Sequence, residues 1–487
     1  MKGFVIAEPE LEFGAAQRHV DPRFGLSLFG PADVEMPSAP TRIRLGLVGG
    51  REGVDGLRQW LERCRSEIAG KVAKPGQENM FPAFPGFVEG HAFHSSLIFD
   101  DALVREIPDR VMRTLAGESP VAVRQAASVY AESASSLAET GRCNVILCAR
   151  PDDLEDGASA AGPHVDGVEL EGSLVPGESE ASDPHGPGDF HDLLKAASLT
   201  SGCPLQIVRS ETWTGKRRSG SKRPRPLQDE ATRAWNLHAA LYYKAGGTPW
   251  RLKRQSTDLD TCFVGVSFFR TADKSSLHTA IAQVFNERGD GVVVRGGTAS
   301  ISKVDRQAHL TAEDSHRLLI DALAEFRRVH DHQPARVVIH KTSRFDEAEV
   351  DGLQGAADNK EIDHLELIWV QMGAGPRLFR NGQLPPLRGT AFELQADSLL
   401  LYTRGSIPFF RTYPGMYVPS PLLLRAASSI NLRGAAEEVL ALSKMNWNNA
   451  QMDERDPLTL RTARKVGLIL RHVPLGAPIG SRYALYM

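Results

Sequence analysis

Short apolar runs and amphipathic stretches take turns along this chain. Arg42-Ile-Arg-Leu-Gly-Leu-Val48 has the make-up of a buried strand. Beyond Gly49-Gly50, the residues Val54, Leu57, Trp60, Leu61 and Cys64 recur mostly at intervals of three and four, the spacing of one helical face. Predicted strands near 92–99 and 144–148 and predicted helices near 123–137 and 190–199 continue the alternation. A second series starts near Asp229, with a helix ending on Lys244, a strand at 262–269, a helix at 276–288, a strand at 291–295, a helix at 313–330 and a strand at 335–340. Strands at 365–371 and 396–402 and helices at 435–444 and 457–472 complete it. Alternating buried strands and helices predict the α/β class, with helices covering a largely parallel sheet. The expected division is an extended lead-in over 1–41, a first domain over 42–228 and a second over 229–487. No repeat with a period of 20–50 residues is present.

Composition refines this picture at a few places. Residues 151–188 are rich in Gly, Ser, Pro and acids, too polar to bury a core, and are expected to be a flexible insertion. The formal charge of −3 does not suggest a nucleic-acid binder, yet it averages two opposite fields. Asp152–Asp183 holds ten acids and no Lys or Arg, whereas Lys216–Arg225 holds six cations in ten positions. That basic run, spaced by Ser, Gly and Pro, suits either a solvated linker or a loop that tracks a phosphate backbone. Five cysteines without a CxxC pair argue against a disulfide framework or zinc site. With a charged, proline-broken start and no apolar run near the roughly 20 residues that span a bilayer, the chain reads as cytoplasmic.

Two clusters invite chemistry. Gly46, Gly49, Gly50 and Gly53 sit at a strand-to-helix turn like a dinucleotide fingerprint, but the spacing is not GxGxxG and no acid follows at the ribose distance. A tight α/β turn explains them equally well. The second cluster is His191 and Lys195, four apart on one predicted helix, Gln206 on the next strand, and Lys244 at the end of the next long helix. Asp189 is a plausible N-cap, which puts His191 in the first turn. A helix start flanked by a ring donor, two ammonium groups and an amide offers what a terminal phosphate dianion requires.

Residues 189–208, DFHDLLKAASLTSGCPLQIV, resemble the segment of Argonaute MID domains in which an aromatic ring, a lysine and a glutamine grip the guide's 5′ phosphate. His191 stands where a tyrosine is common. Residues 233–252, RAWNLHAALYYKAGGTPWRL, resemble the first PIWI helix and its Lys-x-Gly-Gly-x-Pro-Trp ending. Ile339–Phe345, Lys444–Asn448, the Arg461–Val466 helix and the Pro478–Met487 tail also read as PIWI. The resemblance implies a Rossmann-like MID domain followed by a ribonuclease H-like PIWI domain. The length leaves no room for the N and PAZ domains of full-size members, so it points to the short prokaryotic class. That class loads a guide RNA, recognises single-stranded target DNA and acts through an associated APAZ-containing effector.

The resemblance also locates what is missing. Slicing members hold two divalent cations with a carboxylate tetrad. Here Ser267 stands in place of the first aspartate, and the Arg-Asp-Gly turn reads Lys341-Thr342-Ser343, so that Thr342 replaces a second carboxylate. Neither side chain is a hard anionic ligand, and no slicing is expected. Asp258, Asp260, Glu287 and Asp290 remain as nearby acids in predicted loops and helix ends.

By the same resemblance His191, Lys195, Gln206 and Lys244 would bind the guide phosphate, and the Met487 carboxylate would share a magnesium ion with it. Arg251, Lys253 and Arg254, in a stretch that folded structure must fix, are candidates for contacts to the nucleic-acid backbone, and Trp213 and Trp447 are candidates to stack on bases, core packing being the favoured reading for Trp447. The effector would be a TIR or sirtuin-type NAD-consuming protein or, alternatively, a nuclease. Two other readings remain: a guided nuclease with displaced carboxylates, and a Rossmann-type enzyme built on Gly46–Gly53.

Overall fold

The computed structural model describes residues 2–115, 117, 119–152, 154, 189–216, 227–253, 259–271, 276–285, 291–373, 376–415, 418–452 and 454–487, with only the backbone over 280–285. The acidic insertion and most of the basic run therefore lie outside the described residues.

The first domain is built on a parallel sheet. Strand Arg42–Gly49 pairs with Ser96–Ile98, Val104–Glu106 and Val145–Ala149, and the last of these pairs with Leu205–Val208. Helices Arg51–Arg63, Pro120–Ala138 and Phe190–Ser198 cover it. Small residues bring the turn close to the sheet. A Cβ on either Gly49 or Gly53 would come within 2.8 Å of the Ala149 Cβ. Close packing therefore accounts for these glycines.

The second domain holds a nine-stranded sheet. Thr261–Arg270 is the third strand from one edge, with Arg336–Lys341 and then His364–Gln371 parallel on one side. On the other side Leu277–Phe285 and Val293–Thr298 run antiparallel. This order, with the first strand inside an antiparallel trio and followed by two parallel strands, is that of a ribonuclease H-like sheet. The expected helix over 276–288 is instead strand Leu277–Phe285. Leu-His-Thr-Ala-Ile-Ala-Gln-Val-Phe carries apolar residues at both helical and alternating spacings, and the exposed backbone edge of Thr261–Arg270 decides between them.

Residues 2–29 form more than an extended lead-in. Lys2–Val5 pairs with Thr390–Gln395 at the edge of the large sheet, and Leu11–Glu12 pairs with both Arg18–His19 and Arg251–Leu252. Helix Pro22–Phe29 follows, capped by the Asp21 carboxylate. Between the two strands Glu8 forms ion pairs with Arg388 and Lys444, both buried, each at 3.0 Å. The N-terminal segment is thus strapped across the C-terminal domain. One apolar core joins both domains, containing Leu45 and Leu57 from the first, Trp235 and Trp250 from the second, and the Tyr483–Met487 tail. Among the described residues no helix is long and apolar enough to cross a membrane.

Candidate functional site

Three elements converge where the two domains meet. Asp189 caps helix Phe190–Ser198, its carboxylate accepting from the His191 backbone N–H at 2.9 Å. One turn on, Lys195 is 1% exposed and its ammonium donates to the Leu205 carbonyl at 2.6 Å. Lys244, the last residue of helix Glu230–Lys244, is equally buried and donates to the same carbonyl at 2.8 Å and to Gln206 Oε1 at 2.5 Å. The chain then turns sharply through Gly246, at φ +98°, and Gly247, where a Cβ would collide with the Tyr242 ring at 2.2 Å. Tyr242 and the Thr248 N–H both bond to Asp33, each at 2.8 Å, so the Lys244 end of the helix is fixed in place.

Two buried amines therefore share one carbonyl, and among the described residues no carboxylate forms an ion pair with either. Burial pushes Lys195 down to about 7, with nearby Lys465 adding to the effect against Cys148. Lys244 is lowered well below the usual lysine value by burial first, and then by Lys195 and Lys465. Lys465 was not anticipated from sequence. It sits half-buried on helix Leu458–Leu470, which packs against the Lys195 helix. Its signal was the Arg461/Lys465 pair, four apart on a helix otherwise buried on most sides. Chemically, the arrangement is a concentration of buried donors, with Glu454 acting on Lys465 and, among the described residues, no carboxylate ion-paired to the Lys195 or Lys244 amine.

The other predicted residues fall in different places. His191 is half-exposed and its Nδ1 meets Asp192 at 2.9 Å, an engagement separate from the two amines. Met487 is buried, and the tail is clamped by Val293 N donating to Ser481 O at 2.7 Å and Tyr483 N donating to Gly291 O at 2.9 Å. A carboxylate there would be one oxygen donor group for magnesium, which favours about six oxygens, so phosphate and water would have to supply the remainder. Arg251 pairs with Glu12, and Lys253 with Glu10 at 3.5 Å, both glutamates belonging to the N-terminal segment. Arg254 lies outside the described residues, as do Asp258, Glu287 and Asp290. Trp213 packs beside Gly56, and Trp447 is buried, stacked on Tyr243 with ring centres 4.3 Å apart.

Ser267 is buried on strand Thr261–Arg270, one residue past Val266, which pairs with Lys341. Thr342 continues from there, its N–H reaching Val266 O at 3.4 Å. Beside them an acidic group does converge: His309, Asp346 and Glu349 present ligand-type atoms within 4.8 Å of one another, and Asp305 bonds the far nitrogen of His309 at 2.9 Å. The Lys341 ammonium is paired with one member of this group, Glu349. It donates to both Glu349 carboxylate oxygens, one at 2.5 Å, and to Arg344 O at 2.9 Å, and it lies near the Phe268 and Phe345 rings.

Glu349 also accepts from Leu310 N at 2.9 Å and Asp346 N at 3.1 Å. Burial would raise its pKa, but His309 and Lys341 outweigh that and hold it low. Both Glu349 carboxylate oxygens are thus engaged by Lys341 and by further donors. Lys341→Ala should strand a buried carboxylate and destabilise the protein by about 3–5 kcal/mol, read as a lower unfolding midpoint in denaturant. Lys341→Arg, which keeps the charge, should lose less.

No protein-family model matches the chain, and no curated protein sequence does. Solved structures do. Argonaute from Clostridium butyricum, bound to a guide DNA and a 19-mer target DNA, is similar over 98% of this chain and 54% of its own, with a TM-score of 0.63 and 15% identity. A. aeolicus Argonaute is similar over 99% and 54%, with a TM-score of 0.56 and 13% identity. The structure titled Aa-Ago with externally bound siRNA is similar over 99% and 55%, with a TM-score of 0.58 and 14% identity. The chain spans about half the length of these proteins. Its fold is the MID–PIWI architecture of Argonautes.

Proposed function

We propose that this chain binds the 5′-phosphorylated end of a guide RNA and uses the guide to recognise single-stranded target DNA without cutting it. The observation that carries this reading is the pair of buried amines of Lys195 and Lys244 on one carbonyl, with Lys465 nearby and, among the described residues, no carboxylate ion-paired to either amine. Burying two cations without a counter-ion costs several kcal/mol each, so a dianion is the ligand that makes such a cluster favourable. Magnesium would neutralise part of the remaining phosphate charge, with the Met487 carboxylate as the ligand from the protein.

The absence of cutting rests on Ser267 and Thr342 and on the lysine paired with Glu349. Output would then pass to an associated APAZ-containing effector, of the NAD-depleting TIR or sirtuin type, in defence against phage or plasmid DNA. The test is direct. Protein loaded with a 5′-phosphorylated guide should retain complementary single-stranded DNA and not a scrambled strand, and the retained target should remain full-length after prolonged incubation with magnesium or manganese. Guide-dependent cleavage at a defined position would favour the displaced-carboxylate reading instead.

A further inference from the structure

The phosphate cluster has a carboxylate one step removed from its amines. Helix Leu458–Leu470, packed against the Lys195 helix, carries Arg461 and Lys465 four residues apart and therefore on one face. Glu454, four residues ahead of this helix, belongs to the same group of charges. Its Oε2 lies 3.7 Å from Arg461 Nη1, an ion pair too long for a hydrogen bond, and its Oε1 accepts from Asn446 Nδ2 at 2.7 Å and from Asn449 Nδ2 at 3.4 Å. Burial would raise its pKa, but Arg461 first, then Lys465 and Arg404, outweigh burial and Asp456 and hold the carboxyl below its ordinary range. Glu454 is therefore an anion at neutral pH.

The amides that hold it are themselves fixed. Asn446 and Asn449 accept from Asn448 N and Gln451 N at 3.1 and 2.9 Å, and between them Trp447 is stacked on Tyr243, the neighbour of Lys244. The carboxylate is thus tied to the same helix end that positions a phosphate amine. Asp456, two residues on, is engaged elsewhere, paired with Arg455 at 2.8 Å and with Arg464. Arg461 is 8% exposed and donates through Nη2 to Met445 O at 2.7 Å, and among the described residues its Nε and Nη1 have no hydrogen-bond partner. A buried guanidinium so short of acceptors needs an anion close by, and Glu454 supplies one. The same negative charge acts on Lys465, which in turn acts on Lys195 and Lys244, so it opposes the arrival of a second anion.

We propose that Glu454 sets how tightly the pocket holds a terminal phosphate, as a positioning residue that acts through Lys465, stabilising the unliganded protein and weakening the bound dianion. This rests on the phosphate-binding reading, and the experiment separates the two. Labelled RNA guides with a 5′ phosphate or a 5′ hydroxyl are titrated by fluorescence anisotropy against wild type, Glu454→Gln, Glu454→Asp, Lys465→Ala and the double variant Glu454→Gln/Lys465→Ala. Glu454→Gln removes the charge and keeps an oxygen that can accept from both asparagines. The ratio of phosphate-guide to hydroxyl-guide affinity should then rise by about three- to tenfold, the effect of one charge several ångströms away at intermediate dielectric. Glu454→Asp, which keeps the charge, should leave the ratio within about twofold of wild type, and without Lys465 the gain from Glu454→Gln should shrink to about twofold or less. Inorganic phosphate gives a second readout that needs no guide, and should raise the melting temperature of Glu454→Gln by more than that of wild type. A ratio in Glu454→Gln that stays at the wild-type value or falls, a change shared equally by both guides, or a gain undiminished in the double variant overturns the proposal and leaves the phosphate site standing. A wild type that does not distinguish the two guides overturns the phosphate site and the proposal with it.

Discussion

Replacing Lys195 and Lys244 together by alanine should abolish the preference for a 5′-phosphorylated guide. It should weaken that guide by about 10²–10⁴-fold, since each charge-assisted hydrogen bond to phosphate contributes about 1.5–3 kcal/mol. The 5′-hydroxyl guide should bind almost as before. The same substitution should raise the melting temperature of the unliganded protein, because it removes two amines on the Leu205 carbonyl that folding must either bury charged or deprotonate. A functional loss paired with a stability gain is the signature of a site held in readiness for a ligand. If the double variant bound phosphate normally, or if it melted earlier while retaining the preference, the assignment would be wrong. Lys465→Ala should produce a smaller version of the same pair of effects, because it acts on both amines from a half-buried position.

The second large effect is on pH. With burial holding Lys195 at about 7 in the folded protein, against 10.5 for the ordinary side chain, the unfolded chain holds more protons between those values. Stability of the unliganded protein should therefore rise with pH across that window. Binding runs the other way. A phosphate dianion favours the ammonium forms, so guide binding takes up protons and the affinity should fall from pH 7 to pH 9, by up to about tenfold per pH unit for each proton taken up. Below about 6 the phosphate itself protonates, which places the optimum between about 6 and 7. Anisotropy titrations at pH 6.5, 7.5 and 8.5 should show this slope for the 5′-phosphorylated guide and a nearly flat line for the hydroxyl form. Equal slopes for the two would mean that the titrating groups do not face the phosphate.

Much of this architecture was legible because it is local. The period of Val54–Cys64, the cap at Asp189 and the Gly246-Gly247 turn after Lys244 each follow from neighbours in sequence, and the structure forms each of them. What escaped depends on partners distant in the chain. Leu277–Phe285 is a strand because Thr261–Arg270 offers it an edge. The straps at Lys2–Val5 and Leu11–Glu12 find strands hundreds of residues away. In the candidate site, Lys195, Gln206 and Lys244 could be grouped from spacing and resemblance, and the structure brings them together. Lys465 could not, since only the packing of the last long helix against the Lys195 helix brings it near. Nor could the role of Lys341 be read from Lys-Thr-Ser alone. Its partner Glu349 looks like an ordinary capping-box residue, and it is one, while also neutralising a lysine at the end of a central strand.

The pairing of Lys2–Val5 with Thr390–Gln395 bears on how the molecule is made. At a ribosomal pace of about 5–20 residues per second, the first strand leaves the exit tunnel roughly 20–80 s before the segment it must join. In that interval Lys2–Val5 is an unmated β strand, free to associate with chaperones or with neighbouring polypeptides, and this outermost seam of the large sheet closes only once Thr390–Gln395 has emerged.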